Sequence, residues 1–342
     1  MSRNIEITGL GISSSITPCA YRCSYCQLAD QRLFHFSPAR YMSVVERFLQ
    51  WKNDNRPDNF GFSDWMGNTF DSDVDTLHSY MELQHRINQE WEYNMILLGG
   101  IKHRSESEMR DWLQERQAIG CRNLIASFMG YGHVHDQWNK KKGNFDFQMM
   151  SLSIGKELGM HLVERMFFTR STLLLTEGLL DRLDAIGGDA ECVGYLLFYS
   201  GLARRFEDDR VTNEILDSQS DRIKAVYRGD RHRWKSEADW VKIMREDSDD
   251  DEKDAWLALH LTDANIDRIE SMSCDEIVED LTLRTKAAYH AIPSRRELCE
   301  QYSDPANEKI YMFRWDMESR WLDRYLQQYP TDFERELTHI GR

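Results

Sequence analysis

Thr17-Pro-Cys-Ala-Tyr-Arg-Cys-Ser-Tyr-Cys26 sets three cysteines, Cys19, Cys23 and Cys26, in a C-x3-C-x2-C spacing. Three thiolates can hold a cubane iron–sulfur cluster by three of its four irons, which leaves the fourth iron open to a substrate or cofactor. A structural zinc site takes four protein ligands, and neither a second cysteine pair nor a nearby His-x3-His completes one here. A disulfide framework fits less well still, because seven cysteines is an odd number and no signal peptide is read ahead of them. The segment before the cysteines, Ile5-Glu-Ile-Thr-Gly-Leu-Gly-Ile12, reads as a first strand and loop.

Outward from that loop, helical and extended patterns alternate. Helices are expected at 37–55, 72–90, 105–118, 144–158 and 174–185, the first opened by Ser37-Pro38 as cap and first turn. Between them, strands are expected at 59–65, 93–98, 123–128, 161–169 and 192–199. Six strands alternating with helices imply a parallel sheet with crossover helices. In barrels built this way the reacting groups lie at the carboxyl ends of the strands, which is where the cysteine loop falls.

The cysteine spacing, with the aromatic Tyr25 just before the last cysteine, resembles the signature of the radical S-adenosylmethionine (radical SAM) superfamily. The resemblance implies an α/β fold, a partial (β/α)6 TIM-like barrel over 1–205, with a mainly helical C-terminal region over 206–342 capping it. It implies a [4Fe-4S] cluster on Cys19, Cys23 and Cys26 and S-adenosylmethionine on the open iron, with Tyr25 beside the adenosine. An electron from the cluster would split the cofactor to a 5'-deoxyadenosyl radical that takes hydrogen from a substrate. Members of the family carry a Gly-rich turn after the second strand for the amino group of the cofactor. Here Gly67 and Asn68 fill it, with the amide of Asn68 in place of an acid, and Gly99-Gly100 is the rival match. Ser127 falls where a hydroxyl meets the ribose or carboxylate, Arg165 where a cation meets the carboxylate, and Tyr199-Ser-Gly-Leu202 where backbone meets adenine. The 125–147 stretch resembles peptide-modifying members, so the substrate is expected to be a peptide or a small molecule in a biosynthetic or modification pathway. An external electron donor such as flavodoxin or ferredoxin is implied. A non-catalytic iron–sulfur sensor or electron carrier would use the same three cysteines and is the alternative.

A net charge of −15 over 342 residues argues against broad binding to nucleic acid. No apolar run approaches a membrane span, and the mean hydropathy of −0.64 agrees. Thiols that must stay reduced point to the cytoplasm. Cys121, Cys192, Cys274 and Cys299 have no close pair, so one cluster is expected and each of the four reads as a small buried residue. Cys274 or Cys299 could act as a hydrogen donor only by reaching the barrel mouth. His133 and His135 would share one side of an extended strand, though no third ligand for a second metal is evident. The acidic run Glu246–Glu252 reads as a solvated linker or helix start. Ile310, Phe313, Met317, Trp321 and Tyr325 form a packing stripe at helical spacing.

Overall fold

Period-2 and period-3.6 patterns translate into a strand–helix succession from Glu6 to Leu196. A computed structural model of the chain describes residues 5–16, 19–27, 34–56, 59–67, 69–90, 93–187, 191–246 and 254–331. The elements are β1 (Glu6–Ser14), α1 (Pro38–Asn55), β2 (Gly61–Met66), α2 (Val74–Ile87), β3 (Met95–Leu97), α3 (Glu106–Ala118) and β4 (Asn123–Phe128). They continue with α4 (His133–Asn139), α5 (Asn144–Glu157), β5 (His161–Phe168), α6 (Arg170–Leu173), α7 (Thr176–Asp184) and β6 (Glu191–Leu196). All six expected strands are present, and all their pairings are parallel.

Caps and stripes explain where the helices begin and which face they bury. Ser37 Oγ accepts the Arg40 N–H at 3.3 Å and Pro38 opens α1, while Ser105 and Glu108 form a reciprocal capping box on α3. Tyr41, Val44, Val45 and Phe48 follow the i, i+3, i+4, i+7 pattern and pack on Leu10 and Ile12 of β1. A second core joins Leu124, Ala126 and Phe128 of β4, Leu162, Met166 and Phe168 of β5, and Leu152 and Ile154 of α5. In each strand the alternate residues turn to the opposite, inner face.

The α/β barrel is interrupted once and extended once. Among the described residues β3, β4, β5 and β6 form one sheet in that order, while β2 and β1 belong to another, with no ladder between β2 and β3. Three further strands follow residue 205: β7 (Lys235–Ser236), β8 (Asp254–His260) and β9 (Ile310–Tyr311). β8 pairs in parallel with the free side of β1, so the first sheet reads β2-β1-β8 and draws strands from both sides of residue 205. Its Ala255, Leu257 and Leu259 are buried, and Trp256, Ala258 and His260 stand in register with Gly9, Gly11 and Ser13 on the inner face. A side chain on Gly9 or Gly61 would collide with the Trp256 ring, at 2.4 and 2.1 Å, so two glycines let the indole lie across β1 and β2.

The C-terminal stripe is divided between two elements. Ile310 lies in β9, while Met317 and Trp321 are buried in the helix Arg314–Gln328. Asp316 on that helix is fully buried, hydrogen-bonds the Tyr199 N–H just after β6, and pairs with the Arg210 guanidinium at 3.4 Å. Cys121, Cys274 and Cys299 are buried, as expected, and Cys192 donates to the Glu164 carboxylate at 2.7 Å. Cys274 points its sulfur at the Arg47 carbonyl within the α1 layer, and Cys299 packs with Trp321. Neither lies with the inner-face residues. Most of the acidic run, from Asp247 to Glu252, lies outside the described residues, and no described helix is long and apolar enough to cross a membrane.

Candidate functional site

The cysteine loop is stitched to the carboxyl ends of strands from both sheets. It leaves β1 directly, and Ser14 at the end of that strand accepts the Gly67 N–H from the end of β2 at 2.7 Å. Ala20 N–H donates to the Gly100 carbonyl after β3 at 2.8 Å, and the buried Tyr21 hydroxyl donates to the Leu98 carbonyl at 3.2 Å. Arg22 and Ser24 donate to the Asn139 and Trp138 carbonyls at 3.3 and 2.7 Å. Those are terminal carbonyls of α4, which a helix leaves without partners of its own. After β6, Leu202 N–H donates to the Cys26 carbonyl at 2.8 Å. Gly201 there has φ +50°, and a Cβ on it would stand 2.3 Å from the Gln27 carbonyl oxygen and 2.5 Å from that of Cys26. Only glycine allows this backbone to pass so close.

The Cys23 thiol resists ionisation, as the buried thiols of Cys121 and Cys299 do. Burial pushes the Cys23 thiol up to about 12, and the neighbouring charges of Cys19 and Cys26 add to the rise. Three thiolates gathered in this loop therefore call for a positively charged partner. Among the described residues no three His, Cys, Asp or Glu side chains gather about the position of a single metal ion. Three cysteine sulfurs on one loop, at Cys19, Cys23 and Cys26, make a donor set that fits a [4Fe-4S] group held by three ligands.

Behind the loop a buried polar network fixes α4. His135, fully buried, accepts the Met129 N–H on Nδ1 at 3.0 Å, and its Nε2 lies 2.9 and 2.8 Å from the side-chain amide nitrogens of Asn139 and Asn144. Burial holds its pKa down to about 4. The expected strand at His133 is instead the helix α4, and two residues apart on a helix point about 200° apart. His133 is accordingly exposed while His135 is interior. A folded pKa below that of the unfolded chain means the folded state resists a proton the unfolded state takes up, so stability drops as pH falls from about 6.5 toward 4. His135→Ala is expected to cost about 2–4 kcal/mol at pH 7 through the cavity and the orphaned Met129 N–H. Its urea midpoint should also lack the part of the acid sensitivity due to His135, about 2 kcal/mol between pH 7 and pH 5.

The other expected site residues fall as follows. Tyr25 is half-buried between Trp138 and Phe167, each at 6.0 Å between ring centroids, and its hydroxyl donates to Asn139 Oδ1 at 3.0 Å. Gly67 ends β2 beside Ser14, and Asn68 lies outside the described residues. Ser127 and Arg165 are register partners on the half-buried inner face of β4 and β5. The Arg165 guanidinium lies 5.8 Å from the Tyr195 ring centroid, and its Nε is buried without a hydrogen-bond partner. An unsatisfied cationic N–H suits an anionic occupant. Of the rival glycine pair, Gly100 is the one that touches the cysteine loop.

Sequence reading missed two contributors. His260 at the end of β8 holds its Nδ1 3.0 Å from Ser13 Oγ, and Trp65, Ser13 and His260 form one row across β2, β1 and β8 at the root of the cysteine loop. The alternation of Ala255, Leu257 and Leu259 signals the strand, though nothing local says that it joins β1. Asn139 was the other, since a single asparagine after a histidine-containing stretch carries no sequence signal.

No family model matches the sequence, and no curated protein matches it. Solved structures give similarities to SuiB from Streptococcus suis bound to its precursor peptide SuiA, at 15% identity, 57% of this chain and a TM-score of 0.38. The chain spans 41% of the length of SuiB. Coproporphyrinogen III oxidase HemN from Escherichia coli, a radical SAM enzyme, is similar over 94% of this chain and 91% of its own, at 11% identity and a TM-score of 0.41. Likenesses of this strength assign neither family nor substrate.

Proposed function

We propose that the chain is a radical SAM enzyme whose [4Fe-4S] cluster, on Cys19, Cys23 and Cys26, serves hydrogen abstraction from a peptide or small-molecule substrate. The observation that carries this reading is the docking of a three-cysteine loop onto the carboxyl ends of parallel strands from both sheets. When bound, the cluster and S-adenosylmethionine supply an electron and a 5'-deoxyadenosyl radical. The chain's own residues do the rest. Arg165, with its unpartnered Nε, would receive the cofactor's carboxylate, Ser127 beside it would offer a hydroxyl, and Gly67 with Asn68 would receive the amino group. Tyr25 would lie beside the adenosine. Trp65, Trp256, Phe167 and Tyr195 lie on the inner faces, where together with a bound substrate they would shield the reacting carbon from water.

The 125–147 stretch favours a peptide substrate, and the region after residue 205 would complete the mouth of the barrel, with Asp316 holding the turn after β6. An external donor such as flavodoxin or ferredoxin would deliver the electron, and thiols that must stay reduced support a cytoplasmic location. Electron paramagnetic resonance of the anaerobically reconstituted, dithionite-reduced protein tests the reading. A [4Fe-4S]+ signal that changes on adding S-adenosylmethionine is the expected result. A cluster signal indifferent to the cofactor would favour the sensor or electron carrier, and a colourless protein free of acid-labile sulfide would exclude a cluster.

A further inference from the structure

Three polar atoms meet behind the cysteine loop in an arrangement that cluster ligation alone does not explain. The Cys23 sulfur and the Tyr25 hydroxyl both donate to one oxygen, Asn139 Oδ1, at 3.1 and 3.0 Å. Sharing one acceptor makes the phenol and the sulfur neighbours. The amide is not free to turn over: its Nδ2 donates to the His135 carbonyl at 2.9 Å, which keeps the oxygen toward the thiol and the phenol. The residue is 3% exposed, so water does not substitute for either partner.

We propose that Tyr25, with Asn139 as its alternative acceptor, is a positioning residue that donates a hydrogen bond to the Cys23 sulfur in the cluster-bound protein and thereby raises the cluster's reduction potential. This rests on the reading of Cys19, Cys23 and Cys26 as cluster ligands. A cysteine bound to iron has lost its proton, so Cys23 changes from donor to acceptor. The Asn139 oxygen then faces a thiolate that it cannot satisfy. The phenol can: its ring is held by Trp138 and Phe167, and rotation about the C–O bond alone carries the O–H from the amide oxygen to the sulfur. A hydrogen bond to a ligating sulfur withdraws charge and favours the reduced cluster.

Tyr25→Phe keeps the ring and removes the hydroxyl. In the reconstituted protein we expect iron and sulfide per chain equal to those of the parent, and a midpoint of the [4Fe-4S]+ signal, read by potentiometric titration, shifted to more negative potential. Asn139→Ala removes the competing acceptor, leaves the phenol to the sulfur alone, and is expected to move the midpoint the opposite way. A purely structural role for the pair would move both variants in one direction or neither. Equal midpoints in parent and Tyr25→Phe, or shifts of the same sign in both variants, would overturn the proposal. A parent protein that takes up no cluster fails differently: it removes the ligand reading itself, and this inference with it.

Discussion

Replacing any one of Cys19, Cys23 or Cys26 with Ala is expected to reduce reconstituted iron from about four per chain to near zero and to abolish cleavage of S-adenosylmethionine. A cubane held by three thiolates has no protein ligand in reserve, and among the described residues no other cysteine reaches the loop: Cys121, Cys274 and Cys299 are buried in other layers, and Cys192 is engaged with Glu164. The fold should survive these changes. Removing Cys23 also removes a buried thiol whose ionisation is opposed by its surroundings, so the apo-protein's melting temperature is expected to stay within a few degrees of the parent. Iron and sulfide analysis alongside circular dichroism checks both halves. Retention of a full cluster by any single variant would move the ligand assignment elsewhere.

Gly201→Ala should be the most damaging change outside the cysteines, although position 201 bears no functional group. The residue would have to adopt a left-handed backbone, at about 1–2 kcal/mol, and place its Cβ against two carbonyl oxygens of the cysteine loop. Those oxygens are backbone and cannot swing aside as a long side chain would, which adds a further 1–3 kcal/mol. We expect a stability loss of about 3 kcal/mol or more by urea denaturation, and a several-fold loss of cluster occupancy as Leu202 and Cys26 are pushed apart. Gly178 is a control: it lies in α7 and its Cβ would meet nothing within 4 Å, so Gly178→Ala should leave cluster occupancy unchanged and raise stability by up to about 1 kcal/mol. Equal effects at the two positions would show that the contact with the cysteine loop does not matter.

Most of the scaffold was legible because its signals are local. The strand 123–128 and the helix starts at Ser37 and Ser105 are written in periodicity and caps, and each fits within about a dozen residues. His135 and β8 show where that ends. His133-Val-His135 alternates as a strand would, but the α4 conformation was decided by a glycine entry and by Met129, Asn139 and Asn144 gathering on the His135 ring. β8 falls in the region expected to be mainly helical, and its partner lies 247 residues away in the pairing of Ser13 with His260. The cysteines announced the metal chemistry, whereas Asn139 touches Cys23 across a separation of 116 residues. Site residues that act through distant contacts leave no spacing to find.

The partnership of β1 with β8 also orders events during synthesis. A ribosome must release residues up to about 260 before the strand that carries the cysteine loop can gain its second neighbour, and closing so long a loop is slow relative to the local strand–helix units. Until then β1 has one edge without a partner strand, open to pairing with other chains. Iron–sulfur assembly machinery would thus meet a finished loop only after residue 260 has emerged, more than two hundred residues behind the cysteines it serves.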